Sequence, residues 1–149
     1  MGKSFIEIQK LRQIWVIILM LLVNALAIYH FAFASILIVV LVDLLLVFIQ
    51  LKTKINEKGI SYQLFPFHLK EKIFTWDEIA EANIRKYSPI WEYGGWGYRY
   101  SFKKGKAFNI SGNMGLQLVL KNGKKILIGT KKPEELAAFL ESNFPKNLK

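Results

Sequence analysis

The sequence predicts a transmembrane α-hairpin followed by a mainly β domain, a seven-stranded barrel or sandwich capped by a C-terminal amphipathic helix. Three observations carry this. Ile14 to Leu51 form 38 nearly unbroken apolar positions. The composition changes abruptly at Lys52, and short alternating segments separated by turn residues follow. A helical apolar stripe of Leu136, Ala137, Phe139, Leu140 and Phe144 ends the pattern.

One straight helix over the apolar run would measure about 57 Å. The hydrocarbon core of a bilayer is about 30 Å thick, so two helices of about 17 residues fit better. The weakest part of the run is Tyr29 to Ser35, with a histidine, interfacial aromatics and a serine able to cap a second helix. The expected organisation is a cytoplasmic segment 1–12, a two-helix hairpin 13–51 and a cytosolic domain 52–149. A signal peptide cleaved after Ala34 is the rival reading, but Ser35 to Leu51 resumes the apolar run as a stop-transfer segment would. Lys3, Lys10 and Arg12 precede the run; Lys52, Lys54 and Lys58 follow it. The positive-inside rule then places both termini in the cytoplasm of a multi-pass protein of the cell (inner or plasma) membrane. Asn24 and Asp43 are polar groups at similar depth, and the expected role is an intramembrane packing contact. A lone acid offers no relay across a bilayer.

Residues 52–149 carry 18 Lys and Arg against 9 Asp and Glu, which accounts for nearly all of the chain's net +10. Cysteine is absent, which excludes disulfides and thiolate metal sites. Ile60, Tyr62 and Leu64 alternate with polar residues, as do Ala80, Ala82 and Ile84, and Leu116, Leu118 and Leu120. Asn122-Gly123 is a strong hairpin signal, with Lys125 to Gly129 as the return strand. Pro133 suits the first position of the closing helix, and Glu134 and Glu135 favour its positive end.

Thr53-Lys54-Ile55, Gly59-Ile60, Trp76-Asp77-Glu78-Ile79, Gly94-Gly95-Trp96-Gly97, Gly115-Leu116-Gln117-Leu118 and Ile128-Gly129-Thr130 before Pro133-Glu134-Glu135-Leu136 follow an apolar hairpin in that order. The chain thereby resembles, over nearly its whole length, the bacterial pleckstrin-homology-like small membrane proteins. The resemblance implies a pleckstrin-homology-like (PH-like) barrel and implies no activity. Domains of that fold often bind inositol phosphates through basic residues of the first hairpin. Asn56-Glu57-Lys58-Gly59 lacks that motif, so the ligand does not carry over.

Nothing points to an enzyme. His30 and His68 are the only histidines, no His/Cys cluster has metal-ligand spacing, and no glycine-rich phosphate loop precedes a helix. No cofactor or metal is expected. Trp96, Tyr98 and Tyr100 alternate cleanly and are expected in the core, with Trp91 and Tyr93 outside. Lysines cluster at Lys103, Lys104 and Lys106, at Lys121, Lys124 and Lys125, and at Lys131 and Lys132. With Trp91 and Tyr93 they form the candidate surface for anionic lipid or a partner. The expected function is a membrane-anchored, non-enzymatic binding or scaffold module. The alternative is a sensor of anionic lipid surfaces through the basic loops. Expected partners are the bilayer, anionic lipids, a membrane protein or a second copy; no recognition element for nucleic acid is legible.

Overall fold

The computed structural model of the chain describes residues 3–30 and 33–145. Its first element is a strand that the polarity pattern conceals. In β1 (Phe5–Lys10) the buried residues are Phe5, Glu7 and Gln9, while Ile6 and Ile8 are exposed. The two polar side chains turn inward because partners wait there. Glu7 accepts hydrogen bonds from the Thr130 hydroxyl and the Lys131 backbone N–H, and Gln9 Nε2 donates to the Gly129 carbonyl. The segment expected as a separate tail is therefore part of the β fold.

Two helices follow, α1 (Ile14–His30) and α2 (Phe33–Phe48). They hold 17 and 16 residues, or about 25 Å each at the rise of an α-helix. That falls short of the hydrocarbon thickness of about 30 Å. Among the described residues no helix is long and apolar enough to cross a membrane. This overturns the expected transmembrane hairpin, with its multi-pass placement and its membrane designation. At the far end of the apolar run Ile49 packs against the sheet core, and Leu51, fully buried, belongs to the next strand. Of the expected turn, Phe31 and Ala32 lie outside the described residues.

The remaining elements are β2 (Gln50–Asn56), β3 (Gly59–Phe65), β4 (Lys72–Thr75), β5 (Ile79–Lys86), α3 (Pro89–Tyr93), β6 (Gly97–Ser101), β7 (Gly105–Asn109), β8 (Met114–Leu120), β9 (Lys125–Gly129) and α4 (Pro133–Asn143). The expected seven-stranded barrel is corrected to nine strands among the described residues, arranged in two sheets. The first has the order β1-β2-β3-β4 and the second β5-β8-β9-β7-β6. All neighbours are antiparallel except β7 and β9. Two strands escape the sequence count for different reasons: β1 has inverted polarity, and short β7 is pinned by parallel pairing with the distant β9.

The core fills the space between the sheets. Leu51, Ile55, Ile60 and Leu64 face Phe108, Leu116, Leu118 and Ile128, and α4 adds Leu136 and Leu140. Phe139 is half-buried, its ring 6.0 Å from that of Phe5, and Phe144 stacks on Trp76 at 4.3 Å.

Strand register fixes which loops share an end. The helical hairpin leaves the first sheet where Lys10 faces Gln50 and Gln50 faces Phe65. Gln9 ties that end to Gly129, and Gln13 Nε2 ties it to the Ile110 carbonyl at 3.0 Å. Gly129 pairs with Gly115. The β8–β9 turn, past Val119 and Lys125, and the β6–β7 turn, past Ser101 and Gly105, therefore lie at the opposite end.

Within the hairpin, Val16 and Ala27 are buried. Asn24 Nδ2 donates to Met20 O at 2.8 Å and to Asp43 Oδ2 at 2.6 Å. The two polar residues thus meet across the helices; the intramembrane setting expected for them goes with the transmembrane expectation. The outward surfaces of both helices are apolar and exposed.

Candidate functional site

The outer face of the second sheet carries a small satellite core of Tyr87, Tyr93, Ala107 and Leu127. This core seats α3. Ser88 caps the helix, its hydroxyl accepting from the Trp91 N–H at 3.4 Å, and Pro89 occupies the first position. Glu92, at the fourth helical position, reaches back to the Ser88 N–H at 2.9 Å, so a second donor at the helix start is satisfied. Gly94 closes the helix by donating to the Ile90 carbonyl.

Arg85 of β5 fastens α3 from the side. Its NH2 group lies 2.9 Å from Glu92 Oε2, and its Nε donates to Gln117. The hydrogen bond from Arg85 holds Glu92 below the usual carboxylate range, against its partial burial and with help from the Ser88 N–H. Asn109 braces the other side, accepting from the Gly97 N–H and donating to the Tyr87 hydroxyl.

The result is a rigid five-residue helix that presents Trp91 to solvent, 90% exposed. Beside it lies an open groove of about 430 Å³, lined by Trp91, Glu92, Tyr93, Tyr100, Ser101, Phe102, Lys103 and Lys104. Phe102 is 96% exposed and meets Tyr100 edge-on, with ring centroids 5.5 Å apart. The Tyr93 hydroxyl donates to the Lys104 carbonyl at 3.4 Å, which links α3 to the β6–β7 turn.

The structure brings Trp91, Tyr93, Lys103 and Lys104 together at this groove. Tyr93 is only 5% exposed, so its expected outward position is corrected: it is the residue that packs α3 onto the sheet. The opposite correction applies to Trp96, Tyr98 and Tyr100, which are 37%, 46% and 60% exposed. They sit on or beside β6, the last strand of its sheet among the described residues. Lys106 lies on β7, exposed, two residues before buried Phe108. Lys121 and Lys124 occupy the β8–β9 turn and Lys125 begins β9, all exposed. Lys131 and Lys132 follow the other end of β9, and Lys132 pairs with Glu135 at 2.8 Å. Asn24 and Asp43 stay in the helical hairpin, remote from the lysine turns.

Among the described residues no group of three His, Cys, Asp or Glu side chains could hold a metal ion. Comparison with protein-family models, with curated proteins and with solved structures finds no match to this chain. The pleckstrin-homology-like resemblance thus rests on the sequence motifs.

Proposed function

We propose that the chain is a non-enzymatic binding module whose groove between α3 and the β6–β7 turn docks an acidic, apolar-anchored segment of a protein partner. The observation that carries this is Trp91, an almost fully exposed indole on a helix that capping, Arg85 and Tyr93 hold rigid. Rigid aromatic anchors bind with little entropy to lose, and tryptophan is enriched where partners derive most of their affinity. Phe102 and Tyr100 extend the apolar centre, and Lys103 and Lys104 supply a basic rim. Charge complementarity selects an acidic partner, in keeping with the net +10 of the chain.

Geometry favours a protein over an anionic lipid surface as the occupant. Two of the three lysine clusters lie at the end of the sheets opposite the third, Lys131 and Lys132, so one flat anionic surface cannot meet all of them.

The test places a photo-crosslinking residue at position 91 of the full chain in its native cell. The crosslinked protein is then purified and its binding to the chain measured. Trp91→Ala should weaken that binding at least tenfold, and Lys103→Gln with Lys104→Gln should make it less sensitive to salt. Crosslinks to lipid alone, or equal binding by the substituted chains, would contradict the reading.

A further inference from the structure

Where β4 and β6 form the edges of the two sheets, the space between the sheets is lined by Tyr62, His68, Lys72, Tyr98, Lys106 and Phe108. Tyr62 of β3 pairs in register with Lys72 of β4, so both side chains point between the sheets. Across the cleft, Lys106 and Phe108 share one face of β7, opposite Tyr100 and Tyr98 of β6. The floor is aromatic. Phe108 lies 4.5 Å from Tyr62 and stacks on Tyr98 at 5.1 Å, the planes within 6°.

His68 enters this cleft from the β3–β4 loop. Its ring centroid is 5.3 Å from Phe108, 5.9 Å from Tyr62 and 6.0 Å from Tyr98. The loop backbone is fixed, His68 N–H donating to Leu64 O and His68 O accepting from Gln63 Nε2. His68 Nδ1 is buried and has no hydrogen-bond partner among the described residues. Lys72 and Lys106 face the imidazole from the two sheets, and among the described residues neither forms an ion pair. The acid on the same loop, Glu71, is already paired with Lys52 at 2.6 Å. Lys72 and Lys106 are therefore gathered beside an imidazole nitrogen that has no partner among the described residues.

We propose that this cleft binds a phosphate group, held by Lys72, Lys106 and His68, with the exposed ring of Tyr98 beside the molecule that carries it. Lysine is an effective point-charge ligand for phosphate, and an imidazolium adds a directional donor. The site is separate from the groove at Trp91, which lies on the other face of the second sheet.

Partial burial, Lys72 and Lys106 all hold His68 below the ordinary imidazole value. A bound dianion opposes the lysines and favours the protonated ring. Binding therefore raises the pH at which His68 titrates.

The experiment follows the two histidine C2 resonances of the full chain by NMR against pH, His30 serving as internal reference. Inorganic phosphate is compared with sodium chloride at equal ionic strength. Vesicles of phosphatidylcholine, with or without phosphatidic acid, separate a free phosphate from a lipid headgroup. The expected result is a rise of the His68 midpoint by about one pH unit with one of the two phosphate sources. Lys72→Met and Lys106→Met should each abolish it while leaving the remaining spectrum folded. An equal midpoint in chloride, inorganic phosphate and both vesicle types would overturn the proposal. The inward lysines would then be guards against edge-to-edge pairing of β4.

Discussion

The Thr130 hydroxyl donates a buried hydrogen bond of 2.6 Å to Glu7 Oε2, joining residues 123 positions apart. Glu7 Oε1 accepts the Lys131 N–H at 2.7 Å. One carboxylate thus secures both the strand before the helical hairpin and the approach to α4. Glu7→Ala removes the acceptor and leaves two donors unsatisfied. It should cost about 1–3 kcal/mol, read as a lower denaturant midpoint with an unchanged slope. Glu7→Gln keeps an acceptor and should cost less. Equal stability of all three chains would contradict this role.

Gly105 opens β7 with φ of 80°, and a Cβ there would lie 2.1 Å from the Lys125 carbonyl oxygen. Gly123 has a similar φ of 79° but open space around it. Gly105→Ala should therefore destabilise by more than about 1 kcal/mol and by more than Gly123→Ala does. Thermal denaturation of the two chains gives the comparison; equal losses at the two positions would show that φ, and not the close approach to β9, dominates.

His68 sets a pH dependence of stability. Its folded-state value is depressed, so the unfolded chain takes up the proton more readily than the folded one. The stabilisation is fully present above the ordinary imidazole value and is lost as pH falls through the depressed one. Urea midpoints of the wild-type chain should decline from about pH 8 to about pH 5. His68→Gln should flatten part of that decline. Parallel curves would mean that His68 contributes nothing to it.

Asn24 and Asp43 tie α1 to α2. Asp43→Leu should loosen the two helices by about 1 kcal/mol, seen as faster amide exchange in α1 and α2 with the sheets unaffected. Asp43→Asn retains an acceptor and should exchange as the wild type does. Faster exchange in the sheets as well would show that the hairpin and the β fold open together.

Much of the β fold is legible in the residues. Ile60, Tyr62 and Leu64, and Leu116, Leu118 and Leu120, alternate as half-buried strands must, and Pro133 with Glu134 and Glu135 marks the last helix. The concealed parts have physical causes. In β1 the buried side chains are Glu7 and Gln9, whose partners lie at residues 129 to 131, so local alternation points the wrong way. Ile49 and Leu51 are as apolar as the helices they follow, so composition cannot separate them from α2. Tyr93 is buried because it packs α3 onto the second sheet, and Tyr98 is exposed because β6 is that sheet's edge; local alternation shows neither. Trp91, Lys103 and Lys104 were legible as a candidate surface, but the groove they share needs α3 folded onto β6. His68 joins Lys72 and Lys106 only through the closing of two sheets, and a lone loop histidine carries no signal of that.

β1 belongs to the first sheet, so the helical hairpin is mounted on the β fold at both its ends. Native-state hydrogen exchange across residues 5–10 of the full chain tests this most directly. The backbone amides of β1 that face β2 should be protected to the same free energy as those of β2 and should lose that protection together with them in Glu7→Ala. Exchange of residues 5–10 at the rate of a frayed terminus, with β2 still protected, would contradict the account.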